Sequence, residues 1–359
     1  SDRSKFQQEI IQSIVNKTRG ILLNQNELGS LNAGDTENSE AYGLVKRGHE
    51  LLAGFSRNET KEAEELFKKA LELDPNYADA YFGLAYTEHQ SPGVSLKKPK
   101  ESIPSAKRYL KKALELNPGH VRSKILKLIM TLKHDWNTEN IFKDIDSLLS
   151  QHQNNPFVLS ELGSIYSFSS QYEKSITILN QGLALDPKNS RIHANIAFAY
   201  FLAGNLKLSE LHNTEAVNLK SNYQFALHIR SLILTKQNRY VEVEEQLKKS
   251  IENDDNNPVT IMSLGIVYWR SGKKEETYKL LAELLDRRNF EYIKGGIISR
   301  LYIAMGEKEK AFKWLKKSRE EKDTDFYHMY FWPLYDEVRD DPEFIQIYKD
   351  AGLYNYLTQ

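Results

Sequence analysis

Gly182-Leu183-Ala184-Leu185-Asp186-Pro187 is one of three nearly interchangeable phrases in this chain. The others are Ala70-Leu71-Glu72-Leu73-Asp74-Pro75 and Ala113-Leu114-Glu115-Leu116-Asn117-Pro118, with a weaker version at Ala216-Val217-Asn218-Leu219-Lys220-Ser221. In the three strong phrases a helix-forming apolar stretch runs into Asp-Pro or Asn-Pro. Proline cannot continue a helix, so each phrase reads as a helix end followed by an enforced turn. Working outward from them, small residues recur at Gly163, Ala197, Ser231, Gly265 and Ser299, always 34 residues apart. The same step holds at Tyr166, Tyr200, Leu234, Tyr268 and Tyr302, and again at Ser175, Ser209, Val243, Thr277 and Ala311. Antiparallel helices approach closely only where a side chain is small, so the recurring Gly, Ala and Ser mark helix crossings. The sequence is a repeat of paired helices, and no strand-like alternation interrupts it.

The order small residue, tyrosine, small residue, large apolar, proline resembles the tetratricopeptide repeat (TPR). The resemblance implies an all-α fold, a right-handed superhelix of about eight helix-turn-helix repeats with helical caps. The expected organisation is an N-terminal helix and spacer over 1–39, the repeat array over 40–322 and a capping segment over 323–359. The first unit covers about 40–75 with an enlarged turn. The second, 76–118, carries an insertion from Gln90 to Pro104. The third, 119–155, is degenerate, with His134-Asp135-Trp136-Asn137 in its turn. Units four to eight follow from 156 to about 322 in strict register. At 359 residues the chain exceeds the ~250–300 residues at which single cores stop growing, a limit that stacked repeats escape.

Lys+Arg and Asp+Glu are equal at 49 each, which argues against nucleic acid or an anionic membrane as partner. The absence of cysteine removes disulfides, thiolate metal sites and a Cys nucleophile, and fits either cytoplasm or periplasm. No run reaches the ~20 apolar residues of a membrane span. The start, Ser1-Asp2-Arg3-Ser4-Lys5, is not a signal peptide and reads as that of a processed protein or of a fragment of a longer one.

The two ends carry a second resemblance. Phe6-Gln7-Gln8-Glu9-Ile10-Ile11, Thr36 to Tyr42 and Lys46-Arg47-Gly48 open the chain, and Trp332-Pro333-Leu334-Tyr335-Asp336-Glu337-Val338-Arg339-Asp340-Asp341-Pro342-Glu343-Phe344 closes it. Both ends are similar to the TPR segment of large bacterial signalling proteins. There it follows a TolB-like segment downstream of a nucleotide cyclase, a winged-helix domain or a kinase. The resemblance implies a regulatory or sensor segment whose output domains are not in this chain; a self-standing scaffold or adaptor is the alternative. A terminal repeat needs a covering element, and Phe326, Tyr327, Tyr330, Phe331, Trp332 and Tyr335 are expected to cap unit eight, the rival being an exposed docking patch.

The search for chemistry leaves no enzyme. The nine histidines show no H-E-x-x-H spacing, and His193 with His212 offers only a two-ligand metal site. Gly295-Gly296 falls in a helix rather than after a strand, so it is no phosphate loop. The pairs Lys68-Lys69, Lys111-Lys112, Lys248-Lys249 and Lys316-Lys317 recur at one point of the second helix and read as a solvated outer face. No catalytic residue, metal or cofactor is expected. The family's carboxylate-gripping Lys/Asn/Arg set is missing, with Ser160 and Ser164 in its place and Asn195 its sole match. By resemblance, groove-facing positions of successive first helices hold Phe157, Phe168, Arg191, Phe198, Phe201, His228, Lys236, Met262, Trp269, Arg270 and Arg300. The expected recognition set is Arg191, Phe198, Phe201, His228, Trp269, Arg270 and Arg300, aromatic and cationic together. It suits a peptide or protein with apolar anchors and negative charge. The partner is then another protein, a second copy (a homodimer) or the output domains of its own full-length chain.

Overall fold

The computed structural model describes residues 36–52, 56–137, 139–253 and 257–354. Residues 1–35, with the Phe6–Ile11 phrase, lie outside them. The described residues contain helices and no strand. Eight antiparallel pairs follow one another: α1 (Ser39–Leu52) with α2 (Arg57–Leu73), α3 (Ala78–Gln90) with α4 (Pro99–Leu116), α5 (Val121–Lys133) with α6 (Ile141–Gln151), and α7 (Pro156–Ser167) with α8 (Tyr172–Leu185). Then come α9 (Ser190–Leu202) with α10 (Leu206–Leu219), α11 (Gln224–Lys236) with α12 (Tyr240–Asn253), α13 (Pro258–Arg270) with α14 (Lys274–Arg287), and α15 (Gly295–Ala304) with α16 (Lys308–Glu320). A closing segment holds α17 (Phe326–Met329), a 3₁₀ turn (Pro333–Val338) and α18 (Pro342–Asp350).

The boundaries have local causes. Asn155, Asn189 and Asn257 each accept a bond from an amide of the first turn that follows, and Pro156 and Pro258 occupy the first helical position, where no N–H is needed. Asp74 and Asp186 leave the helix in extended or irregular backbone, still donating their amides to Ala70 and Gly182. Within the pairs, the turn is set by one left-handed residue. Trp136, Ser170, Gly204, Asn238, Gly272 and Gly306 have φ of 56°, 56°, 79°, 61°, 84° and 77°, and they too are 34 residues apart. Unit three, expected to be degenerate, keeps this turn in register.

The crossings are as close as the small residues require. Gly163, Ala197, Ser231, Gly265 and Ser299 are all buried. Hydroxyls tie the two helices of a pair together there: Ser209 Oγ donates to the Ala197 carbonyl at 2.7 Å, Thr277 Oγ1 to Gly265 at 3.0 Å and Ser299 Oγ to Ala311 at 2.9 Å. Units one and two use the Phe67 ring instead, which lies so close to Gly48 and Gly83 that a Cβ would sit 2.7 Å and 2.4 Å from it. Gly295 and Gly296 open α15 because its first turn lies on the end of α16; a Cβ on Gly295 would meet Trp314 O and Ser318 N at 2.9 Å.

Two expectations change. The Gln90–Pro104 stretch, expected as an insertion, is largely built into the unit: Ser91 to Ser95 are buried, and Pro99 onward begins α4. The closing aromatics do more than cap unit eight. One apolar core runs from Ile125, through Leu162, Phe198 and Ile229, to Phe326, Trp332 and Phe344. The array wraps round this segment, and Arg57 in unit one meets Glu291 in the last linker at 2.5 Å.

Candidate functional site

Much of the concave face is filled by the chain itself. Asp323 starts the closing segment. Fully buried, it accepts bonds from Ser318 Oγ at 2.5 Å, the Gly296 amide at 3.0 Å and the Tyr292 hydroxyl. Beyond it, His328 lies 4.6 Å from Phe168, and Trp332 lies 6.0 Å from Phe198, 5.7 Å from His228 and 5.0 Å from the Arg300 guanidinium. Phe326 packs on Trp136, in the turn of unit three, at 5.1 Å. Asp325 receives Lys294 and Arg300, the latter at 3.3 Å. Burial would raise the Asp325 pKa, but Lys294 and the other positive neighbours hold it well below the usual range. Burial, with Arg300 beside it, lowers His228 to about 3, and burial likewise lowers His328 to about 3, so both are neutral at ordinary pH.

The seven residues expected to form one recognition surface are therefore dispersed. Phe198 and His228 touch the chain's own Trp332. Arg300 is only 2% exposed and committed to Asp325 and Trp332, although its edge also borders the open cavity. Trp269 turns toward the second helix of its own unit, edge-on to Tyr278 at 6.0 Å with Lys274 over its ring. Arg191 crosses the narrow interior. It pairs with Glu161 at 2.9 Å and donates to the Tyr86 hydroxyl of unit two at 3.3 Å. Phe201 and Arg270 remain at the open part of the groove. Asn195, the one clamp-like residue, donates to Ser160 Oγ at 3.1 Å.

That open part is a cavity of about 330 Å³ between α11, α13, Arg300 and the closing segment. Phe201, Leu232, Met262, Ile266, Trp332 and Leu334 make it apolar, and its charged lining consists of Lys236, Arg270 and Arg300. Lys236 and Arg270 are exposed at its rim. Of the groove-facing positions expected from the sequence, Phe201, Lys236, Met262, Arg270 and Arg300 line it; the Trp332-Pro333-Leu334 wall is not among them. The aromatic density of 326–335 signals that wall, but a local pattern equally fits a cap on the end of the array.

His193 and His212 do meet. Their Nδ1 atoms are 3.2 Å apart, and His193 Nε2 donates to the Pro187 carbonyl at 3.2 Å. Among the described residues no three metal-binding side chains are grouped. Nor is any described helix long and apolar enough to cross a membrane.

Residues 53–91 match the family model described as TPR repeat, and residues 158–189 the one described as tetratricopeptide repeat. The chain carries tetratricopeptide repeats. Its TPR solenoid is similar to human IFIT1, solved as a dimer with PPP-AAAA (TM-score 0.54, 19% identity, over 87% of this chain and 72% of that one). It is also similar to yeast Tom70 (TM-score 0.50, 16% identity, over 89% and 69%). These likenesses are of fold. In sequence, the human protein O-mannosyl-transferase TMTC3 is 40% identical over 81 residues, which is 23% of this chain and 7% of that protein. The TPR fold is that of a scaffold for protein–protein interaction.

Proposed function

We propose that this TPR chain holds an extended peptide or protein segment in the open cavity, with an apolar side chain on the floor and a carboxylate at the rim. The observation that carries the reading is the lining itself: apolar side chains with Lys236 and Arg270 exposed at the rim, and no acid among the lining residues. Apolar surface supplies the gain on burial, and the two rim cations select the sign of the partner, since the charge of Arg300 is already met by Asp325. The finer role, a regulatory or sensor segment of a bacterial signalling protein, rests on the opening and closing phrases of the sequence. In that setting the occupant is a segment of the output domains or of a protein that signals to them.

Selection of a random peptide library on the intact chain tests the cavity. Enriched peptides are expected to place an acidic residue beside a large apolar one. Their affinity should fall about 10-fold or more on Arg270→Glu, as for loss of a charge-assisted contact with reversal of the field, and the loss should shrink as salt is raised. Enrichment of peptides without acids, or equal binding by Arg270→Glu, refutes the assignment.

A further inference from the structure

A larger space than the peptide cavity lies elsewhere. A cavity of about 510 Å³ opens where the solenoid closes on itself, between the start of α4 and the end of unit eight. Nothing in the peptide reading uses it.

Its charges do not cancel locally. Of the four acids on its wall, Asp135 is bound by Lys107, Glu291 by Arg57 and Arg287, and Glu321 by Arg288. Glu320 is left. Against it stand Lys98, Lys100, Lys317 and Lys322, none of which meets a carboxylate in an ion pair among the described residues. Lys317 and Lys322 lie over the rings of Trp314 and Trp136. The wall also includes the first turn of α4, an 18-residue helix whose N-terminus has no side-chain cap and begins with a proline. The positive end of its dipole is thus directed at the same space.

Two buried polar atoms point the same way. His134 is 6% exposed and lines the cavity; its Nε2 is 3.0 Å from His89 Nδ1, but its own Nδ1 has no partner. Arg288 lines the cavity too, and its Nη1 is buried without a partner. The Arg288 Nη1 donor left unpaired costs about 1–3 kcal/mol, and an acceptor-rich group in the cavity supplies its partner; His134 Nδ1 donates to the same group in the tautomer whose Nε2 accepts from His89. We infer that this cavity binds a small, multiply charged phosphate compound. Its oxygens are held by Lys98 and Lys100 on one side, by Lys317 and Lys322 on the other, and by Arg288 and His134 beneath. Space of this size fits a phosphate chain with a compact group attached. The two sides belong to units two and eight, so the ligand bridges the closure of the solenoid.

Calorimetric titration of the intact chain with inorganic pyrophosphate and with tripolyphosphate tests this. Saturable binding is expected, stronger for tripolyphosphate. It should weaken about 10-fold or more in Lys98→Gln/Lys100→Gln and likewise in Lys317→Gln/Lys322→Gln, the loss of charge-assisted bonds. The convex-face control Lys248→Gln/Lys249→Gln and the groove variant Arg270→Glu should bind as the parent does, which separates this site from the peptide cavity. Lys98 and Lys100 are exposed, so their variant also tests the site without disturbing the fold. No saturable binding at millimolar probe overturns the inference, as does undiminished binding by the Lys98/Lys100 variant or an equal loss in the Lys248/Lys249 control.

Discussion

At the scale of single residues, the molecule depends on what is absent from certain Cβ positions. Gly83 faces the Phe67 ring at a distance no Cβ tolerates, and Phe67 is itself fully buried, so the ring cannot swing aside freely. Gly83→Ala should cost about 1–3 kcal/mol in urea unfolding; an unchanged midpoint would mean the ring is not where it is described. The left-handed turn residues give the opposite case. Ser170 holds φ at 56° where later units use glycine, so Ser170→Gly should stabilise by up to about 1 kcal/mol, relief of left-handed strain less the entropy of glycine. A loss of stability would contradict that. Gly204, Gly272 and Gly306, with Asn238 between them, mark this turn series in the sequence, whereas Trp136 and Ser170 carry no such mark. The hydroxyl bonds at the crossings were not legible, because a serine there satisfies the size rule whether or not it finds a carbonyl. Histidine provides a pH test. His228 titrates near 3 in the fold and about 6.5 when unfolded. Between those values the unfolded chain binds the extra proton, so stability falls as pH is lowered through that window. His228→Asn should flatten the slope of stability against pH by up to about 1.4 kcal/mol per pH unit. Parallel slopes for parent and variant would show that His228 stays solvated.

Among the elements, the closing segment is where sequence and structure diverge most. Its aromatic density announced burial, and a cap was the economical reading, since a terminal repeat has an uncovered face. What a local pattern cannot state is the destination of a segment whose partners are Phe168, Phe198 and His228, each distant in the chain. The Arg300 position shows the consequence. Groove-facing register made it a recognition residue, but the segment arrives over it, and its charge is spent on Asp325 and Trp332. Arg300 and Trp332 should therefore be coupled in folding. A double-mutant cycle on Arg300→Met and Trp332→Leu is expected to show about 1 kcal/mol or more of interaction, as for a desolvated cation over an aromatic ring. Additive losses would place the two side chains apart.

Over the whole molecule, the repeat period decided the fold, because one 34-residue unit contains every contact that sets its own geometry and the next unit copies it. Curvature is a sum of small rotations, so neither the closure at Arg57 and Glu291 nor the interior it encloses could be read from one unit. The same holds for the site: positions on a helix face were legible, whereas which of them remain open depended on where residues 323–338 come to rest. The solenoid thus wraps round its own closing segment and leaves the cavity beside Arg270 as the open part of its groove. Hydrogen exchange of peptides covering 326–338, compared with those of α9 in the same intact chain, tests it most directly. The amides of Phe331, Trp332 and Tyr335 are hydrogen-bonded within a buried segment and should exchange as slowly as the α9 core, through opening of the array as a unit. Exchange of 326–338 at the rate of an exposed loop, while α9 stays protected, would show the segment lying outside the groove and contradict the account.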